Sequence, residues 1–80
     1  MAPDTVALMD YLVRALVDDP DAVEIVHTTS DAGEHFEVTV APDDVGKVIG
    51  RSGRIIKALR TVVRAAGCSD DRRVDVEVLG

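Results

Sequence analysis

The chain is predicted to form one α+β domain of element order α-β-β-α-α-β, a three-stranded mixed sheet with its helices on one face. Three observations predict it. Apolar residues recur at three-four spacing near the start of the chain and again after residue 54. Two strand-like runs are joined by the turn residues Ser30-Asp31-Ala32-Gly33. A third run, Val74, Val76 and Val78 alternating with Asp75 and Glu77, comes only after two helix-like segments. A strand that continues into a later strand through helices needs a crossover, and crossovers join parallel strands. Residues 36–41 should therefore pair in parallel with 73–79, and the hairpin supplies an antiparallel neighbour.

Taken in order, Asp4 or Thr5 can cap a helix with apolar positions Val6, Met9, Leu12, Val13 and Leu16, ending near Asp18-Asp19-Pro20. Leu8, Tyr11 and Val17 widen its apolar surface, which fits either deeper burial or contact with another subunit. Residues 22–29 read as the first strand, and Phe36-Glu37-Val38-Thr39-Val40 as the second, stopped by Pro42. Asp43 and Asp44 suit the N-terminus of a short helix, where negative charge complements the dipole. From Arg54 to about Ala66, Ile55, Ile56, Leu59, Val62, Val63 and Ala66 fall within an arc of roughly 120° at 100° per residue, which predicts a core face. Arg54, Lys57, Arg60, Thr61 and Arg64 lie opposite, Ala58 and Ala65 form a small-residue flank, and Gly67 can terminate the helix. A polar turn, Ser69 to Arg73, precedes the last strand. With one sheet face under the helices, the other should carry Glu24, Glu37, Thr39, Asp75 and Glu77 in water. The domain spans residues 1–80, with a core from about 4 to 79, and its size allows only modest burial.

Between the short helix and the long one lies Val48-Ile49-Gly50-Arg51-Ser52-Gly53-Arg54-Ile55-Ile56. Glycines at 50 and 53 can take backbone angles closed to other residues and let a polyanion approach the main chain. The turn also opens a helix whose first N–H groups lack intrahelical partners and sit at the positive end of the dipole. With Arg51 and Arg54 adding full charges, the segment reads as a phosphate clamp. The alternative reading is an ordinary tight turn between helices, with Gly46 allowing close helix packing.

The same stretch resembles the K-homology (KH) signature, an Ile-Gly-x-x-Gly-x-x-Ile core whose glycine loop clamps the backbone of about four nucleotides. Pro42-Asp43-Asp44-Val45-Gly46-Lys47 upstream agrees with one bacterial group, the small stand-alone single-KH proteins, over roughly residues 4 to 79. The resemblance implies the type II, prokaryotic KH arrangement and single-stranded RNA as partner. Lys47, Gly50, Arg51, Ser52, Gly53, Arg54 and Lys57 are the expected RNA-binding residues. Val48, Ile49, Val38 and Val40 would help line an apolar groove wall, although each also suits the core.

A net charge of −6 is unusual for such a partner, since Lys and Arg supply most non-specific affinity for phosphates. Its distribution resolves the conflict. Lys47, Arg51, Arg54, Lys57, Arg60 and Arg64 lie between residues 45 and 69, a segment without Asp or Glu, whereas the rest of the chain balances to −12. A focused basic strip on an acidic body attracts phosphate at one face only.

Other chemistries find little support. Gly46 to Gly50 lacks the Lys-Ser/Thr of a P-loop, and no Gly-x-Gly-x-x-Gly occurs. His27 and His35 lie on the two hairpin arms, but three or four ligands would be needed for a metal, and Cys68 is the single cysteine, so no metal or cofactor is implied. Ser52 has no His partner for nucleophilic work. With only Tyr11 and Phe36 as aromatics, base stacking on a sheet cannot be the main device. The reading is a non-enzyme. No signal-peptide pattern and no membrane-length apolar run is present, so a cytoplasmic location without membrane contact is expected.

Two functions remain. One is a single-stranded RNA-binding module acting as an RNA chaperone or post-transcriptional regulator. The other is an interaction subunit. The resemblance implies self-association into a homodimer, or a heterodimer with a larger KH-containing protein of the Jag type linked to cell elongation and division. A single groove of about four nucleotides gives dimerisation a physical motive, because two joined grooves bind with avidity.

Overall fold

The computed structural model describes residues 4–67 and 73–80; Cys68 and residues 69–72 of the predicted turn lie outside the described residues. The order is α1 (Thr5–Leu16), β1 (Glu24–Ser30), β2 (Gly33–Thr39), α2 (Val45–Ile49), α3 (Arg54–Gly67) and β3 (Arg73–Leu79), as the sequence predicts. Single 3-10 turns at Pro20–Ala22, Pro42–Asp44 and Arg51–Gly53 link them. Asp4 caps α1, its side chain accepting from the Ala7 N–H at 3.0 Å.

The sheet runs β1-β2-β3. β1 pairs with β2 antiparallel, Ser30 facing Gly33 across the turn, and β2 pairs with β3 in parallel, Phe36 facing Val76. Strand limits differ from those expected. β1 begins at Glu24 because Pro20, with its fixed φ, opens a 3-10 turn closed by the Val23 N–H on the Pro20 carbonyl. β2 begins at Gly33, three residues early, because it pairs with β3 from Arg73 onward. Gly33 is buried against that partner. A Cβ there would lie 2.1 Å from the Arg73 carbonyl oxygen, at a φ of +150°.

Rows across the sheet separate its faces. Ile25, Val38 and Val78 share one row, and His27, Phe36 and Val76 another, on the helix side. Val26, Glu37 and Glu77 form an outward row, so the bare face is acidic as expected, with Val26 57% exposed on it. The core gathers Met9 and Val13 of α1, Phe36, Val38 and Val74 of the sheet, Val48 of α2 and Leu59 and Val63 of α3. Burial of each such side chain contributes about 1.5–3 kcal/mol.

Two expectations are corrected, at Val62 and Gly46, and the hairpin histidines are placed. Val62 is 44% exposed: it stands one residue, about 100°, from Val63 and faces the space between α1 and α3. Gly46 is exposed, and a Cβ there would touch nothing within 4 Å, so no helix packs against it. The two histidines do not converge. His27 stacks on Phe36 with centroids 4.5 Å apart and its Nε2 lies 2.7 Å from Glu34 Oε1, whereas His35 pairs with Thr28 and points to the other face.

Opposite outcomes are expected at two glycines. Gly33→Ala meets backbone that cannot yield and should destabilise by about 2 kcal/mol or more. Gly46→Ala removes unfolded-state freedom without a clash and should stabilise by about 0.5–1 kcal/mol. Thermal unfolding of the two variants beside the parent checks both signs.

Candidate nucleic-acid interface

The turn between α2 and α3 is set by its backbone. Gly50 ends α2 at φ 78° and ψ 170°, its N–H donating to the Gly46 carbonyl at 2.9 Å. A Cβ at Gly50 would lie 2.6 Å from Ile55 Cγ1, so the turn closes against α3 only with glycine there. Ser52 is the one non-glycine residue with positive φ among the described residues, at φ 57° and ψ 25°, a left-handed conformation that costs about 1–2 kcal/mol. Gly53 follows at φ 73°, its N–H donating to the Gly50 carbonyl at 3.1 Å. The Gly50, Gly53 and Arg54 N–H groups are thus engaged within the turn, and its positive-φ residues bend the chain so that Arg51 and Ser52 stand out at the surface.

Arg51, Ser52, Arg54 and Lys57 are exposed around this turn, and Gly50 and Gly53 are half-buried, so these expected site residues do come together. Along α3, Arg54, Lys57, Arg60 and Arg64 fall within roughly 120° of the helix circumference, opposite the buried Leu59 and Val63. Among the described residues no carboxylate pairs with Arg51 or with any of these four. Their charge is available to a ligand.

Lys47 is different. Its ammonium is paired with the Asp18 carboxylate and lies 3.4 Å from Asp44 Oδ1. Asp44 is 2% exposed and, rather than capping α2, accepts from the Asp18 N–H at 3.2 Å and the Asp19 N–H at 3.1 Å. Burial opposes the Asp44 charge, but the two backbone donors and Lys47 outweigh it and hold the carboxyl below its usual range. The Asp18 hydrogen bond, against partial desolvation and with help from Asp44, raises the Lys47 ammonium above its usual range. Sequence reasoning assigned Lys47 to the phosphate strip and Asp44 to the helix dipole. Asp44 does stand at the N-cap position of α2, and each of the two charges also has partners across the fold.

The groove-wall expectation divides. Val38 and Val48 are wholly buried and Val40 nearly so, so their side chains belong to the core and present no wall to a ligand. Only Ile49 is half-buried and within reach. Phe36 is wholly buried and Tyr11 is 71% exposed on α1, so neither belongs to the glycine turn. An open apolar groove of about 350 Å³ does exist, but between α1 and α3. Leu12, Ala15 and Leu16 line it from one side, Ile55, Ala58 and Val62 from the other, with Arg54 at the end nearest the turn. Leu8 and Val17 pack on the core. Sequence periodicity missed the groove because it placed Val62 in the interior. Among the described residues no group of three or more His, Cys, Asp or Glu could hold a metal ion, and no helix is long and apolar enough to cross a membrane.

A parallel β-α-α-β unit bent at a Gly-x-x-Gly turn, with an antiparallel strand beside it and three helices, is a small KH domain of the α+β class. The chain belongs to the KhpA/KhpB KH-domain family, whose profile matches residues 7–78. It is 44% identical over 72 residues to a Clostridium acetobutylicum protein named RNA-binding protein KhpA, covering 90% of this chain and 96% of that one. It is 51% identical over 71 residues to the Leifsonia xyli protein of the same name, covering 89% and 91%. A Streptomyces coelicolor protein, also so named, is 51% identical over 59 residues, 74% of this chain and 75% of that one. No solved structure matches the chain.

The shifts give a pH dependence with a definite sign. Asp44 has a lowered carboxyl in the folded state, so its contribution to stability is present above the unfolded value of about 4 and is lost as pH falls through the lower folded one. Lys47 is raised, so its contribution is present below about 10.4 and is lost as pH rises through the higher folded value. Thermal unfolding against pH should show a fall on each side, and Asp44→Asn should flatten the acid side.

Proposed function

We propose that this protein binds single-stranded RNA and that the Gly50–Gly53 turn clamps the sugar-phosphate backbone. The observation that carries the reading is the glycine turn itself, whose positive-φ residues set Arg51 and Ser52 out at the surface beside cations that, among the described residues, no carboxylate neutralises. The relatives' printed names support RNA as the ligand. Lys57, Arg60 and Arg64 extend the attraction along α3 and add general phosphate affinity. The acidic sheet face turns the strand away from every other approach. A contact of about four nucleotides suits brief, repeated engagement of many transcripts in the cytoplasm, as an RNA chaperone or post-transcriptional regulator. The domain performs no catalysis in this reading.

Replacing Arg51 and Ser52 together by Asp should abolish binding of a labelled single-stranded RNA in fluorescence anisotropy and leave thermal unfolding nearly unchanged, because both side chains are exposed. Full binding by the folded double variant excludes the glycine-turn mechanism.

A second reading, association through helices, is favoured by the open groove between α1 and α3 and by the exposure of Val62 within it. A homodimer, or a heterodimer with a larger KH protein of the Jag type that acts in cell elongation or division, would cover this apolar surface. It would also join two four-nucleotide sites. The small side chains of Ala15 and Ala58 let a partner helix approach closely. Light scattering across a concentration series should show a dimer, and Ala58→Arg should return it to a monomer. A parent that stays monomeric at every concentration removes the self-association half of the reading.

A further inference from the structure

We infer that Asp44 and Lys47 are positioning residues, fixing α2 and the glycine turn at its end against the α1–β1 connection in the orientation that receives the RNA backbone. The inference rests on the RNA-binding reading above.

α2 has five residues and buries a single apolar side chain, Val48. So short a helix has little stability of its own and takes its orientation from whatever holds it. Two polar anchors one turn apart do so. Asp44, immediately before α2, accepts from the N–H groups of Asp18 and Asp19, and Lys47, in the middle of α2, pairs with the Asp18 carboxylate. Both anchors meet the same connection, Asp44 at Asp18 and Asp19, 26 and 25 positions away in the chain, and Lys47 at Asp18, 29 positions away. Lys47 in turn lies 3.4 Å from Asp44, so the three charges and two backbone donors form one closed set. Gly50 then follows α2 directly, its N–H bonded to the Gly46 carbonyl within the anchored segment. A binding constellation needs support that holds it to within about 0.5 Å, and these side chains supply it from behind.

The charge of Asp44 makes the inference testable by sign. A carboxylate near a polyanion site repels the ligand, so by Coulomb's law alone its neutralisation tightens RNA binding. Loss of a positioning residue weakens binding instead.

The test is anisotropy titration of a fluorescein-labelled, randomised single-stranded RNA over a range of salt. It compares the parent, Asp44→Asn, Lys47→Gln, the exposed neighbour Asp43→Asn as a charge control, and the Arg51/Ser52 double Asp variant. Asp44→Asn, measured well below its unfolding temperature, should bind about tenfold more weakly. Its salt slope should be that of the parent, and Asp43→Asn should bind at least as well as the parent. Without RNA, the amide NMR shifts of Gly50, Ser52 and Gly53 should move in Asp44→Asn while those of Val38 stay in place, a change that a merely less stable domain would not show. A folded Asp44→Asn with equal or higher affinity overturns the inference. If that variant fails to fold, Lys47→Gln decides. Weaker binding at an unchanged salt slope supports an anchor. Undiminished binding, or a slope shallower by about 0.7, makes Lys47 dispensable or a phosphate contact and overturns it. Retained binding by the double Asp variant strikes the glycine-turn clamp, whereas its loss together with normal binding by Asp44→Asn strikes only the positioning role.

Discussion

The parallel pairing of β2 with β3 is the constraint on which the rest of the molecule depends. Two parallel neighbours cannot be joined by a tight turn, so the chain must leave the end of β2, cross the sheet and re-enter at Arg73. The helices α2 and α3 make that crossing, and the direction of travel must reverse between them. The reversal falls at Gly50–Gly53, where three left-handed residues bend the path in the space of four. A turn forced by topology thereby becomes an exposed bend with Arg51, Arg54 and Lys57 around it. The candidate site is a by-product of closing the sheet, with arginines placed around it.

Charge is distributed to match. α3 keeps its cations on the side away from Leu59 and Val63 and faces no carboxylate among the described residues, whereas Lys47, on α2, is drawn into the fold by Asp18 and Asp44. Two cations, three residues before and four residues after the same glycine turn, can thus do unrelated work, Lys57 facing solvent and Lys47 bridging elements. What separates them is whether an acidic segment happens to pass nearby in space.

Much of this was legible in the residues. The period of α3, the alternation of β3 and the hairpin turn are local patterns set by burial on one face, and they gave the element order and the mixed sheet. The strand starts were less legible: Gly33, Glu34 and His35 carry no apolar alternation, and their strand conformation comes from pairing with β3. The glycine turn could be read because positive φ demands particular residues. Asp44 could not, since its hydrogen bonds go to main-chain groups 25 and 26 positions away and leave no trace in spacing. Val38, Val40 and Val48 were ambiguous for another reason: a groove wall and a core ask for the same side chains, and only burial separates them. Val62 misled in the opposite direction, an apolar residue on the core side of the wheel with no neighbour to cover it.

The outward row of Glu37 and Glu77, next to Asp75 on the same strand, bears on how copies of this domain behave when crowded. A three-stranded open sheet has two edges, β1 and β3, and each offers unpaired main-chain groups on which another copy's strand could template itself. Addition at the β3 edge would set a new strand beside Asp75 and Glu77, and addition at the β1 edge would set one beside Glu24. When the incoming strand is the same edge of an identical chain and brings Asp75 or Glu77 opposite each other, like charges on paired strands repel. The carboxylates of the bare face thus also bear on strand addition, with Arg73, beside Asp75 on the same strand, as the one cation among them on β3.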